Sequence, residues 1–162
     1  MILILLVNTV ILPIAAILFL KHKGVVDSIF LDTPRERRTG VLIVLAFYLI
    51  TYILWRQLTL PHSFLSVFSA VLVSLSLVFV IVPKFNISMH TIAAGGLIGT
   101  LLGLFKAHAF IDVYALTGAF LMFGLSATAR LLLNAHTPKE INWGAFVGIV
   151  LFYLFVGQGY YF

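Results

Sequence analysis

The sequence contains no cysteine and few charged residues. Of its 162 residues, 9% are charged and five are acidic, whereas a soluble domain of average composition has about 25% charged residues. The absence of cysteine excludes disulfides and thiolate chemistry. With only five carboxylates we expect no carboxylate metal cage, and we expect neither a metal nor another cofactor.

Long apolar runs separated by short polar gaps make up most of the chain, which is 62% hydrophobic. An α-helix needs about 20 apolar residues to cross a hydrocarbon core of about 30 Å. The runs are continuous, unlike the alternating strands of a membrane barrel. We predict an all-α fold, a polytopic membrane bundle of about six transmembrane helices in one domain, residues 1 to 162. The predicted spans are 2 to 20, 40 to 59, 64 to 83, 90 to 106, 109 to 129 and 142 to 161.

The first run has no positively charged flank and no small-residue cleavage site before Lys21. We therefore expect it to be a retained helix and not a cleaved signal peptide. The protein is expected to be a multi-pass protein of the inner cell membrane.

The positive charges cluster on one predicted side of the membrane. The net charge is +5, but no basic tail is present, so we expect no nucleic-acid partner and favour anionic lipid or phosphate. Six crossings place the gaps after the first, third and fifth helices together. These gaps hold eight of the ten basic residues: Lys21, Lys23, Arg35, Arg37, Arg38, Lys84, Arg130 and Lys139. For the four lysines the positive-inside rule is a sufficient explanation.

Two glycine stripes predict which helices pack closely. Gly95, Gly99 and Gly103 recur every four residues in the fourth helix, and Gly144 and Gly148 repeat this pattern in the sixth. Small residues at this spacing let helix backbones approach each other. If these helices pair, their N-termini lie together, and both termini offer unpaired N–H groups that suit an anion.

The polar stretch ARLLLNAHTPKE, residues 129 to 140, is the strongest candidate for a site. His136 and His90 each lie at a helix entrance on the basic side. Each alone fits a boundary residue, whereas the pair would supply a nucleophile and a general acid to a phosphate. Glu140 has two explanations: it can close a capping box with Thr137, or it can accept a hydrogen bond from His136 four residues earlier.

These residues resemble motifs of the type 2 phosphatidic acid phosphatase family, over the part of the chain from the second to the sixth helix. Arg130, His136 and Glu140 match its third motif, Ser-Arg-x5-His-x3-Asp, with Glu in place of Asp and Ala129 in place of Ser. The stretch ISMH, residues 87 to 90, resembles the second motif, Pro-Ser-Gly-His. The arginines of TPRERR, residues 33 to 38, would stand for the first motif, Lys-x6-Arg-Pro, although its lysine and proline are missing.

The resemblance implies hydrolysis of a lipid phosphate through a metal-free phosphohistidine. By this resemblance His136 would attack phosphorus, Glu140 would orient the His136 ring, and His90 would protonate the leaving oxygen. Phosphate-binding roles fall to Arg130, to one of Arg35, Arg37 or Arg38, and to the hydroxyl of Ser88. The expected substrates are a phosphatidylglycerophosphate, a phosphatidate or a polyprenyl diphosphate.

Two other interpretations remain open. Met89 occupies the glycine position of the second motif, where a side chain hinders the approach of backbone to phosphate. This favours a noncatalytic phospholipid-binding or transport protein that retains the fold. A channel or helical scaffold would leave the two histidines without a common role. The count of basic residues favours a cytoplasmic site, whereas the resemblance favours an extracytoplasmic site. We expect the extracytoplasmic side.

Overall fold

The computed structural model describes residues 2–28, 33–58, 60–108 and 112–158, and the regular structure of these residues is helical. Helix α1 covers residues 2–22 as an α-helix, a π-helical segment at Val7–Ile11, and a second α-helix. Five further helices follow: α2 at Pro34–Arg56, α3 at His62–Ile81, α4 at Met89–His108, α5 at Val113–Leu132 and α6 at Pro138–Gln158. The predicted all-α class is confirmed.

The helices have the lengths that a membrane bundle requires. Five of them, α2 to α6, are long and apolar enough to cross a membrane. Helix α1 contains a shorter apolar helical stretch, Val7–His22. The chain is therefore a multi-pass helical membrane protein.

Helix α2 begins six residues before the predicted start at residue 40. The Thr33 hydroxyl accepts from the Glu36 amide at 3.2 Å, and the Glu36 carboxylate accepts from the Thr33 amide at 3.1 Å. This reciprocal capping box, with Pro34 at the first helical position, starts the helix in a polar stretch. Hydrophobicity alone located the apolar part of the helix but not its capped first turns.

Helices α4 and α6 form the most extensive contact of the fold. They run parallel: a Cβ added at Gly95 would meet the backbone of Ala145, and one added at Gly99 would meet the backbone of Ile149. A Cβ at Gly148 would in turn meet the Ile92 carbonyl oxygen. The predicted pairing through glycine stripes is confirmed, and it places the N-termini of the two helices side by side.

The other helices are arranged around this pair. Helix α3 packs against α6, α2 against α3, α5 against α4, and α1 against α2. A core cluster of Val41, Val78, Val82, Ile87 and Ile92 joins the start of α2, the end of α3 and the start of α4. This end of the bundle is hereafter the site end, because it also carries His90, Arg130 and His136.

Candidate active site

A tight turn between α5 and α6 explains the spacing of Arg130 and His136. Asn134 adopts a left-handed conformation, with φ of 50°. The Ala135 amide donates to the Arg130 carbonyl at 3.0 Å, and the Asn134 amide donates to the Leu131 carbonyl at 3.0 Å. These bonds end α5 in a Schellman-type turn. The chain reverses within the five intervening residues, so Arg130 and His136 remain at the same end of adjacent helices.

The His136 ring is fixed by two acceptors on one nitrogen. Its Nδ1 lies 3.0 Å from the Asn86 carbonyl oxygen and 3.3 Å from Glu140 Oε2. Both partners are acceptors, so the hydrogen-bond network assigns the proton to Nδ1. In the neutral ring Nε2 then carries the lone pair, which is the nitrogen that a nucleophile needs. His136 is nearly buried, with 10% of its side chain exposed.

Glu140 performs both of the roles that its sequence position permits. Its Oε2 accepts from the Thr137 amide at 2.8 Å as well as facing His136 Nδ1. The Glu140 amide donates back to the Thr137 hydroxyl at 3.4 Å, which completes the capping box before Pro138. The cap holds the carboxylate, and the carboxylate orients the imidazole.

His90 lies in the first turn of α4, at the end of the bundle where Arg130 lies in the last turn of α5 and His136 precedes α6. His90 is exposed, so a molecule from outside can reach it. The structure thus places His90, Arg130 and His136 at the site end, and their predicted catalytic roles stay predictions.

Arg130 reaches the site with part of its hydrogen-bonding capacity unused. Its Nε is buried and has no hydrogen-bond partner among the described residues. An unpaired N–H of a guanidinium in a buried position is costly unless a ligand accepts from it. Phosphate and carboxylate oxygens are the acceptors whose geometry this planar cation matches.

Ser88 lies directly before the first residue of α4. It is fully buried, its Oγ accepts from the Thr91 amide at 3.4 Å, and its carbonyl accepts from the Thr91 hydroxyl at 3.0 Å. Its own amide donates to the Glu140 carbonyl at 3.4 Å. Ser88 therefore caps α4 and links it to α6. Its predicted contact with phosphate stays a prediction.

The arginines of the first α2 turns lie at the site end, but their contacts lie elsewhere. The Arg38 guanidinium stacks 4.5 Å from the centroid of the Phe79 ring. The Arg35 carbonyl accepts a hydrogen bond from the Thr39 hydroxyl at 3.1 Å, and the Arg37 amide donates to the Thr33 carbonyl. In the described part of the chain, none of the three side chains bonds to a site histidine. Their phosphate-binding role also stays a prediction.

Two features of this end were missed by sequence reasoning. The first is the Asn86 carbonyl, a backbone acceptor whose position depends on the fold and not on the side chain. The second is the cap at Thr33, where TPRE repeats the pattern of TPKE at residues 137 to 140. There Glu36 also accepts from the Asp27 amide at 2.7 Å, which fastens the preceding loop to α2. The repeated pattern was the available signal.

Among the described residues, no three His, Asp or Glu side chains lie together in a way that could hold a metal ion. The chemistry available at the site is that of an oriented imidazole, a second imidazole and a guanidinium. Comparisons with protein-family models, with curated proteins and with solved structures found no match to this chain. The assignment of a function therefore rests on the residues and geometry described above.

Proposed function

We propose that this protein is a lipid phosphatase of the inner cell membrane. Its substrate is a lipid phosphomonoester or diphosphate, such as phosphatidylglycerophosphate, phosphatidate or polyprenyl diphosphate, and its site faces the extracytoplasmic side. The observation that carries the proposal is the fixed His136 ring: Nδ1 lies against two acceptors, which leaves Nε2 for attack on phosphorus.

The reaction proceeds in two steps without a metal. His136 Nε2 forms a bond to phosphorus while the bond to the lipid oxygen breaks, and His90 donates a proton to that oxygen. His90 then takes a proton from water, whose oxygen attacks the phosphohistidine and releases phosphate. Arg130 binds the phosphoryl oxygens as their charge shifts in the transition state.

The electrostatics of the helix ends support this arrangement. Helices α4 and α6 start at the same end, and the side-chain caps Ser88 and Thr137 each take up one amide of the first turn. Two parallel N-termini add positive potential where the phosphate would lie. The apolar surroundings favour a substrate that carries hydrocarbon chains.

A noncatalytic lipid-binding or transport protein is the second candidate. It is favoured by the buried position of Ser88 and by the stacking of Arg38 on Phe79, since both leave the phosphate with fewer ligands than the resemblance implies. Such a protein would bind the same lipids through Arg130 but would not turn them over.

Release of inorganic phosphate from these lipids by the detergent-purified protein in EDTA distinguishes the candidates. We expect release by the unaltered protein, none by His136→Ala, and a reduction of about 10²- to 10⁴-fold in His90→Ala. His62→Ala is the matched control, because His62 begins α3 at the opposite end of the bundle. Equal release by His136→Ala would refute the enzyme. No release by a folded protein that binds the lipids would favour the second candidate.

A further inference from the structure

Two cavities lie one after the other along one face of α4, and together they are called the cleft. Consecutive helices α3 and α4 scarcely touch, because α3 packs against α6. The α4 residues that line the cleft are Met89, Ile92, Ala93, Thr100 and Leu104, and their spacing places them on one helix face. From Met89 to Leu104 these residues extend about 22 Å along the helix.

The half of the cleft at the site end is a cavity of about 220 Å³. It begins at Met89, the residue before His90, and its walls include Val78 and Phe152. Met89 is 37% exposed and Ala93 is also exposed, so the cavity opens sideways beside the site. We name it the near cavity.

The other half is a cavity of about 350 Å³, which we name the far cavity. Its walls come from α1, α2, α3 and α4 and include Leu5, Trp55, Val67 and Leu104. Both cavities have predominantly apolar walls. A hydrocarbon chain is the chemical group that such walls accommodate in a membrane protein.

The ring of Phe68 forms part of the far cavity wall and contacts a wall residue of each cavity. It stacks on Tyr48, which lines the near cavity, with ring centroids 5.7 Å apart. It also packs against Trp55, which lines the far cavity, at 4.6 Å. Phe68 is buried, with 8% exposed. The ring is therefore held between one side chain from the wall of each cavity.

We propose that Phe68 determines the length of the substrate hydrocarbon chain. This inference rests on the proposed function, in which the phosphate lies at His90 and His136 and the chain enters the near cavity past Met89. A short chain ends against the Phe68 ring. A longer chain enters the far cavity only by displacing the ring from Tyr48 and Trp55, which sacrifices the contacts of both aromatic pairs.

The first test compares phosphate release from dioctanoyl and dipalmitoyl phosphatidate. Replacing Phe68 by Ala removes the barrier, and Phe68→Leu removes only the planar ring in case Ala prevents folding. We expect the dipalmitoyl-to-dioctanoyl ratio of kcat/KM to rise about tenfold, the gain from burying about two further methylenes. The control is Phe120→Ala, because Phe120 lies on α5, is 52% exposed and is not among the residues that line either cavity. An unchanged ratio in both Phe68 variants would refute the proposal.

The second test does not require turnover. The chain has two tryptophans, so Trp143→Phe leaves Trp55 as the only indole, and His136→Ala keeps the lipid intact. The probe is phosphatidate that carries bromine at the ends of its chains, since bromine quenches indole fluorescence at short range. We expect strong quenching of Trp55 only when Phe68 is also replaced by Leu. Equal quenching with and without Phe68 would contradict the partition.

The two tests separate the possible failures. If no lipid releases phosphate but the Phe68 variant increases quenching, the proposed enzyme is wrong and the partition of the cleft is confirmed. If phosphate is released in a manner that depends on His136, but neither the rate ratio nor the quenching responds to Phe68, the partition is wrong and the enzyme stands.

Discussion

Substitution of Gly148 by alanine tests the helix pair on which the site depends. The added Cβ would meet the Ile92 carbonyl oxygen, and it would lie 2.7 Å from the Gly96 amide nitrogen. Both neighbours are backbone atoms of α4, so neither can rotate away. The two helices must separate, although the separation loses contacts along the whole interface.

The expected change in the free energy of unfolding is the sum of two opposing contributions. Overpacking of a tight interface costs about 3 kcal/mol at the upper end of its usual range. Alanine regains about 1 kcal/mol over glycine in a helix. We expect Gly148→Ala to lower the free energy of unfolding by about 2 kcal/mol. Phosphate release should fall as well, because separation at this level moves His90 away from His136.

The matched control is Gly118→Ala in α5. A Cβ there would have no atom within 4 Å, so only the helix propensity changes, and we expect a gain of about 1 kcal/mol. The assay is equilibrium unfolding in mixed micelles with increasing dodecyl sulfate, followed by the loss of helical circular dichroism. The reasoning is refuted if Gly148→Ala is as stable as the unaltered protein, or if Gly118→Ala is equally damaging.

Three further predictions concern the site itself. Glu140→Gln keeps an acceptor for the Thr137 amide but removes the charge that faces His136, so phosphate release should fall at least about 100-fold with little change in stability; wild-type release would contradict the orienting role. Asn134→Gly should preserve release, whereas Asn134→Val should destabilise the turn by about 1–2 kcal/mol, measured by the same unfolding assay; equal stability of the two variants would count against the left-handed turn. Arg130→Lys keeps a charge but loses the planar fork, so the KM for lipid phosphate should rise and kcat should fall; unchanged kinetics would exclude Arg130 as a phosphate ligand.

The sequence was sufficient to predict the helix pair because glycines four residues apart form a stripe that lets two backbones approach. Gly95, Gly99 and Gly103 form such a stripe, and the structure places α6 against it. The dual role of Glu140 was also predictable, since both of its partners lie within four residues along the chain. Local spacing and small residues were therefore sufficient to predict the helix pair and the hydrogen bonds of Glu140.

The remaining features depend on tertiary position. The Asn86 carbonyl that binds His136 belongs to a loop fifty residues away in sequence, and any residue there could supply it. The arginines after Thr33 are long side chains whose direction depends on packing, and one of them stacks on Phe79. The cleft beside α4 could not be predicted from the sequence either. Membrane helices are apolar on all faces, so their hydrophobic pattern does not reveal which face lacks a neighbour.

The central claim is that His136 forms a covalent bond to phosphorus. The most direct measurement incubates the purified protein with lipid phosphate labelled with ³²P in the phosphoryl group, denatures it at alkaline pH within the turnover time, and maps the label by peptide analysis. We expect an acid-labile, base-stable label on the peptide that contains His136, absent in His136→Ala and present in His62→Ala. Phosphate release without such a label, or a label on another residue, would exclude a phosphohistidine at His136.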